Sequence, residues 1–135
     1  MNFMQAVKAY FINWNNFTTR SSRSEYWWAT LFVSFGSYIA GFIIGFFIMS
    51  TFSAAGFSED VSMTVIGIAA LVIEIFLVIA GISLSVRRLH DVDKSGWWLL
   101  IMFTIIGMIP LLIWYCTKGT DGENRFGQNP LEQQK

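Results

Sequence analysis

The chain has 135 residues, of which 54% are hydrophobic, 17% aromatic and only 13% charged, and its nine basic and nine acidic residues leave no net charge. No basic run exceeds two residues, so the chain lacks the positive surface that nucleic-acid binding requires. Its lone cysteine excludes an internal disulfide and a two-cysteine metal or redox site. A chain of this length fits one domain.

The charged residues are partitioned along the chain. Residues 26–58 and 95–117 contain no Lys, Arg, Asp or Glu, and residues 61–86 contain one, Glu74. An apolar stretch of about 18 or more residues is long enough to cross the hydrocarbon core of a bilayer as a helix. The sequence therefore predicts an all-α integral membrane bundle of three transmembrane helices. The first stretch is too long for the apolar core of a cleaved signal peptide.

The N-terminal segment, residues 1–24, is predicted to contain a short amphipathic helix. Five apolar residues recur there at helical spacing: Phe3, Val7, Tyr10, Phe11 and Trp14. Such a stripe suits a helix that lies in the membrane interface, and a short helix packed on the bundle is the open alternative. Polar residues then lead into the first predicted transmembrane helix, residues 25–50. The helix dipole favours a carboxylate in the first turn, where Glu25 lies.

The second predicted transmembrane helix, residues 61–86, must carry Glu74 through the bilayer. One carboxylate costs about 2.5 to 3.5 kcal/mol on insertion, and the apolar residues of the stretch outweigh it. In the second helix, small residues share the face of Glu74: Gly67, Ala70, Gly81 and Ser85. The first helix has a matching ridge of small residues: Ser37, Gly41 and Gly45. We expect the two ridges to pack, with a neutral Glu74 hydrogen-bonded to Ser37 or Thr104. Proton or ion transport through Glu74 is the alternative.

The third predicted transmembrane helix, residues 97–116, spans about 30 Å at 1.5 Å per residue and matches one crossing. We expect Pro110, three residues after Gly107, to kink it. A charged loop, residues 87–96, precedes it, and a polar tail of turns, residues 117–135, follows it. With three crossings, six Lys and Arg residues lie on the side of the N-terminal segment and three on the side of the tail. This distribution predicts a cytoplasmic N-terminus.

Two groups of charged residues fall on the same membrane face in this topology: Arg20, Arg23 and Glu25 in the first, and Arg87, Arg88, His90, Asp91 and Lys94 in the second. We predict an interfacial ion-pair network in which arginine forks bind Asp91 or Glu25 and the remaining donors face lipid phosphates or an anionic ligand. A charge cluster that merely stops translocation is the alternative. We interpret His90 as structural, because no second histidine or nucleophile accompanies it.

Three blocks of the chain resemble the signature of a bacterial inner-membrane family known as domain of unknown function 805. They are FTTRSSRSEYWW at 17–28, RRLHD at 87–91 followed by KSGWW at 94–98, and KGTDGENRFG at 118–127 followed by Asn129-Pro130. Thr19 departs from the family's usual glycine, which affects only the local backbone turn. The resemblance implies a multi-pass protein of the bacterial inner (plasma) membrane, and it implies no catalytic, cofactor-binding or metal-binding residue.

The sequence thus predicts a small non-enzymatic inner-membrane protein, without a cofactor, that acts by binding membrane lipids, a partner membrane protein or further copies of itself. A small transporter or channel element that uses Glu74 and the basic loop is the alternative, as an oligomer because three helices enclose little space. An enzyme is disfavoured, since the chain has no pattern of nucleophile, metal ligands or paired carboxylates. The residues name no cargo, partner or pathway.

Overall fold

A computed structural model of the protein describes residues 1–132. Within this range the chain is helical and contains no β-strand, as the sequence predicts. The elements are α1 (Phe3–Ile12), α2 (Arg23–Ala54), α3 (Glu59–Asp91), a 3₁₀ helix (Gly96–Phe103) and α4 (Met108–Cys116).

Helix α1 lies within the segment where the sequence predicts a short helix. It begins with a capping box, in which the Asn2 side chain accepts from the Gln5 backbone N–H and the Gln5 side chain accepts from the Asn2 backbone N–H, both at 2.9 Å. This arrangement satisfies two donors that a helix start leaves unpaired. The helix buries Ala6 and Tyr10 and leaves Phe3 exposed.

Helices α2 and α3 contain 32 and 33 residues and are long and apolar enough to cross a membrane. Their most apolar stretches of 18 residues are 0% and 6% buried. A core helix of a soluble protein buries such side chains, whereas these two helices turn them outward. The two helices contain the first two predicted transmembrane segments and extend beyond both.

Matching motifs end these two helices. Gly56 adopts a left-handed conformation (φ 79°), its N–H donates to the Ser53 carbonyl at 3.1 Å, and the Phe57 N–H donates to the Phe52 carbonyl at 3.0 Å. The rings of Phe52 and Phe57 pack at 5.1 Å and complete a Schellman motif. Asp93 (φ 57°) takes the same position after α3, which makes Asp91 the last residue of that helix.

The third predicted transmembrane helix is not one continuous helix. Residues 97–116 divide between the 3₁₀ helix and α4, with a turn at residues 104–107. Within the described part of the chain, only α2 and α3 have the length and composition of a membrane span. The prediction of three transmembrane helices is therefore not confirmed.

The break has a local cause. Thr104 is extended (φ −111°, ψ 135°), and its Oγ1 donates to the Ile101 carbonyl at 2.8 Å and accepts from the Gly107 N–H at 3.0 Å. A Cβ on Gly107 would overlap the Ile101 carbonyl, so this close turn requires glycine. Pro110 falls in the first turn of α4, where its missing N–H needs no partner within the helix. A new helix therefore begins after Gly107.

The chain forms two compact units. The first, which we call the polar lobe, contains Met1–Thr30 and the described residues from Ile79 onward. The second, the apolar unit, contains Leu31–Val78. The N-terminal segment and the described part of the tail therefore belong to one unit, together with the start of α2 and the end of α3.

The predicted packing of small-residue ridges differs from the structure. A Cβ on Gly41, Gly45 or Gly67 would meet no neighbouring atom within 4 Å, so no other element covers these positions. Glu74 and Ala70 are exposed. Small side chains allow close helix approach but do not by themselves enforce it, and the stretch expected to supply a third helix is broken. At Gly81, in the polar lobe, an added Cβ would lie 3.9 Å from the Tyr10 hydroxyl of α1, which is ordinary van der Waals contact.

Candidate functional site

Asp91, the last residue of α3, lies between two buried arginines. Arg20 donates to its Oδ1 through Nε at 3.1 Å and Nη2 at 3.0 Å, and Arg88 donates to its Oδ2. All three side chains are buried. One carboxylate between two cations leaves a positive charge, and the remaining N–H groups of both guanidiniums need acceptors, because a buried unpaired donor is costly.

Backbone carbonyl groups supply these acceptors. Arg20 donates to three tail carbonyls at 2.7 to 3.1 Å, those of Thr120, Gly122 and Gly127. Arg88 donates to the carbonyls of Trp114, Tyr115 and Thr117. Gly122 and Gly127 have left-handed backbones (φ 68° and 113°), which glycine adopts without steric cost, and these turns bring their carbonyls to one guanidinium.

The tail packs directly against the end of α3. A Cβ on Gly119 would overlap the Asp91 carboxylate, so only glycine fits there. The Asp91 carbonyl accepts from the Thr120 N–H at 2.8 Å, and Asn124 Nδ2 donates to the His90 carbonyl at 2.9 Å. These contacts join residues that are about thirty positions apart in sequence. The tail therefore completes the arginine cluster.

Arg87 and Glu25 form a second buried ion pair. Arg87 Nη1 donates to Glu25 Oε1 at 2.6 Å, and the Ser21 N–H donates to the Arg87 carbonyl at 3.0 Å. Among the described residues, Arg87 Nε and Nη2 and the Ser21 hydroxyl have no hydrogen-bond partner. Arg87 is thus less completely paired than Arg20 and Arg88.

His90 takes no part in the ion pairs. Its Nδ1 lies 3.2 Å from the Thr19 carbonyl, which can only accept, so Nδ1 carries the proton. The ring stacks on Phe126 with 3.7 Å between centroids and 4° between planes. His90 follows the apolar stretch 61–86, and its burial lowers its pKa below the ordinary value of 6.5, against the opposing effect of the Thr19 hydrogen bond. The imidazole is therefore neutral near pH 7.

An open pocket of about 510 Å³ lies beside the arginine cluster, within the polar lobe. Its walls come from the start of α2, the end of α3 and the tail, and they include Arg23, Trp27, Trp28, Cys116, Lys118 and Asp121. Arg23 is exposed and makes one long hydrogen bond, 3.4 Å from its Nη1 to the Cys116 carbonyl. Lys118 forms an exposed ion pair with Asp121 at 2.7 Å.

The structure divides the residues of the predicted charge network into separate groups. Arg20, Arg88 and Asp91 form the central cluster, and Glu25 pairs with Arg87. The other three lie outside both groups: Arg23 faces the pocket, His90 contacts Thr19 and Phe126, and Lys94 lies 5.6 Å from the centre of the Trp114 ring. The donors expected to face lipid phosphates are therefore not those of Arg20 and Arg88, which protein carbonyls occupy.

The residues of the predicted intramembrane polar site belong to different units, with Glu74 and Ser37 in the apolar unit and Thr104 in the polar lobe. Glu74 is exposed, Ser37 is half-buried, and the Thr104 hydroxyl is engaged in the turn that ends the 3₁₀ helix. The sequence interpretation also missed Lys118 and the carbonyls of the tail. The glycines of the tail were the available signal, since each marks a turn or a close approach, but their partners are distant in sequence.

Comparison with known proteins gives the family. The profile of the family described as "Protein of unknown function (DUF805)" matches residues 14–128, which include every residue of the two buried ion-pair groups. The chain belongs to this family. The DUF805 match confirms the resemblance found in the sequence.

Two curated relatives of this DUF805 protein come from Escherichia coli strain K12. Inner membrane protein YhaI is 33% identical over 123 residues, covering 87% of this chain and 88% of YhaI. Inner membrane protein YhaH is 34% identical over 119 residues, covering 87% of this chain and 89% of YhaH. No solved structure matches the chain. With two long apolar helices, the chain is a membrane protein, and its relatives support location in the inner membrane.

Proposed function

We propose that this DUF805 protein is a non-enzymatic, multi-pass inner-membrane protein whose polar lobe binds membrane lipid at the level of the headgroups. The observation that carries the proposal is the set of exposed tryptophans on the polar lobe: Trp14, Trp27, Trp28, Trp97 and Trp98. Tryptophan side chains combine an apolar ring with an N–H donor and concentrate at membrane–water interfaces. Soluble domains rarely expose so many, and lipid is the partner that such a surface fits.

A structural role for the buried charges supports the non-enzymatic part of the proposal. Arg20 and Arg88 are engaged with Asp91 and with backbone carbonyls, so neither guanidinium is presented to a substrate. Catalytic groups need access to the reacting atoms. We therefore assign these three residues to holding the lobe together.

The contacts of the tail support a topology with two crossings. Arg20 from the N-terminal segment and Asp91 at the end of α3 both contact tail residue Thr120, so these three parts of the chain share one membrane face. Helices α2 and α3 then cross the bilayer, while residues 97–116 stay at the interface. The eight Lys and Arg residues of the described chain then fall on one side, and residues 55–58 between α2 and α3 carry no charge, with Glu59 and Asp60 following in the first turn of α3. The positive-inside rule assigns that basic face to the cytoplasm.

Tryptophan quenching tests the lipid contact. The protein is placed in vesicles whose lipids carry bromine at a known depth, and we expect fluorescence quenching to be strongest with bromine near the headgroups. A matched variant, Trp27→Leu with Trp28→Leu, should lose part of this quenching while its circular dichroism stays helical. Quenching by aqueous acrylamide but by no brominated lipid, with no lipid retained in native mass spectrometry, would contradict the proposal.

A second candidate function rests on Glu74. An exposed carboxyl group in the middle of a 33-residue apolar helix favours a role as a small transporter or channel element, because ionisable groups within the membrane are costly and usually serve a polar path. Two crossings enclose no path, so this function needs an oligomer. Proton flux into proteoliposomes that Glu74→Gln abolishes would favour it, and no flux with the wild-type protein would end it.

A further inference from the structure

We infer that the pocket of the polar lobe binds the phosphate group of an anionic phospholipid, with Arg23 and Lys118 as its ligands. The inference rests on the proposed lipid binding and names the site and the headgroup chemistry. Both cations line the pocket and keep their charged ends exposed, so a phosphate can reach them without unfolding any part of the lobe. Neither belongs to the two buried ion-pair groups.

The charge balance around the pocket favours an anion. The pocket wall and the adjoining cluster contain four cations, Arg20, Arg23, Arg88 and Lys118, and two carboxylates, Asp91 and Asp121. Asp91 is already shared by two buried arginines and cannot neutralise a third cation. This surplus of positive charge attracts a phosphate, and partial exclusion of water by the pocket strengthens that attraction.

The existing contacts of the two ligands are weak enough to give way. Within residues 1–132, Arg23 makes a single hydrogen bond, 3.4 Å long, to the Cys116 carbonyl, and its planar guanidinium suits two phosphate oxygens at once. Lys118 is paired with Asp121, but both side chains are more than half exposed, and such pairs contribute little to stability. A phosphate oxygen can therefore share the Lys118 ammonium with Asp121 or replace it.

The remaining wall suits the rest of a phospholipid. Trp27 and Trp28 line the same pocket at the start of α2, which continues into the apolar unit. Their rings offer an apolar surface to the glycerol backbone and the upper acyl chains, next to the phosphate ligands. The volume of about 510 Å³ lies in the range of pockets that hold small ligands.

Cys116 provides a direct probe of occupancy, because it is exposed, lines the pocket and is the sole cysteine of the chain. The full-length protein is placed in nanodiscs of phosphatidylcholine alone or with phosphatidylglycerol, and the rate of Cys116 alkylation by a water-soluble maleimide is measured. The test variant is R23Q/K118Q. The control variant K8Q/R125Q removes two positive charges from the same lobe outside the pocket.

We expect phosphatidylglycerol to slow the alkylation of Cys116 in the wild type and in K8Q/R125Q. In R23Q/K118Q, we expect this slowing to be about tenfold smaller. Native mass spectrometry should show the same order in retained phosphatidylglycerol. Equal protection and equal retention in all three proteins would overturn the site, while lipid retained by all of them would leave the proposed function standing. No retained lipid in any protein would overturn both. Protection by inorganic phosphate in phosphatidylcholine discs, without an effect of phosphatidylglycerol, would assign the pocket to a soluble phosphate and overturn the lipid assignment.

Discussion

At the scale of single residues, Asp91 is the carboxylate that pairs with both buried arginines of the central cluster, Arg20 and Arg88. Asp91→Asn would leave Arg20 and Arg88 buried side by side without a carboxylate. We expect the free energy of unfolding in mixed micelles to fall by about 3 to 5 kcal/mol, the usual cost of removing one partner of a buried ion pair. Asp121→Asn is the matched control, because its pair with Lys118 is exposed, and it should change the free energy by about 0.5 kcal/mol or less. Equal effects of the two substitutions would contradict the structural role of Asp91.

His90 gives the lobe a defined pH dependence. Because its pKa is lowered in the folded protein, the folded state binds the proton less readily than the unfolded state does. The contribution of neutral His90 to the free energy of unfolding is therefore fully present above pH 6.5, the pKa of His90 in the unfolded chain. It is lost as the pH falls below 6.5 toward the lower pKa of the folded protein. We expect the wild-type Tm, measured without a histidine tag, to fall on acidification from pH 7.5 to 5.5 by more than that of His90→Phe. The phenylalanine keeps an aromatic ring against Phe126 but cannot take up a proton, and parallel pH profiles would refute the effect.

At the scale of secondary-structure elements, the sequence indicates the two long helices more directly than it indicates the break in residues 97–116. Helices α2 and α3 follow from uncharged stretches that any window of the sequence reveals. The break after Phe103 depends on one side chain, Thr104, that bonds the backbone on both sides of a turn, and on the missing Cβ of Gly107. The sequence predicts a kink near Gly107 and Pro110 but not its size, because composition alone does not say which backbone bonds a threonine takes.

Two glycine substitutions test the break after the 3₁₀ helix and the exposure of α2. Gly107→Ala should destabilise the protein, because the new Cβ overlaps the Ile101 carbonyl and the turn must open. Gly41→Ala lies within α2 with no atom within 4 Å of the added methyl group, and it should stabilise the helix by up to about 1 kcal/mol through helix propensity. Thermal unfolding in one detergent compares the two variants. Destabilisation by Gly41→Ala would instead indicate that another helix covers that position.

At the scale of the whole molecule, the ion-pair partners join distant parts of the chain. The sequence indicates that Arg20, Glu25, Arg87, Arg88 and Asp91 gather on one face, because charges cluster at the ends of apolar stretches. It does not predict which carboxylate each arginine takes, since those choices depend on contacts across 62 and 71 residues. The glycines of the tail indicate turns, but no side chain identifies Arg20 as the donor that their carbonyls accept from. Because the sequence predicts three crossings, it assigns the tail to the opposite face, whereas the structure bonds the tail to Arg20.

This difference makes the topology testable. In a Cys116→Ser background, single cysteines are placed at exposed positions as Asn15→Cys, Ser58→Cys and Asp121→Cys. With two crossings, a membrane-impermeant maleimide added to spheroplasts should label Ser58→Cys, and it should reach the other two only after the membrane is permeabilised. Labelling of Asp121→Cys from outside would restore the arrangement with three crossings.

The contacts between both chain ends also set an order for biogenesis. Arg20 finds acceptors at Thr120, Gly122 and Gly127, which are 100 to 107 residues away. At about 5 to 20 residues per second, the ribosome needs roughly 5 to 20 s to make that intervening chain. During this interval the Arg20 guanidinium stays hydrated, because its carbonyl acceptors in the tail have not yet been made. Synthesis of residues 120–127 is therefore the step that allows the arginine cluster of the polar lobe to close, and a product stalled before these residues would keep Arg20 open to water.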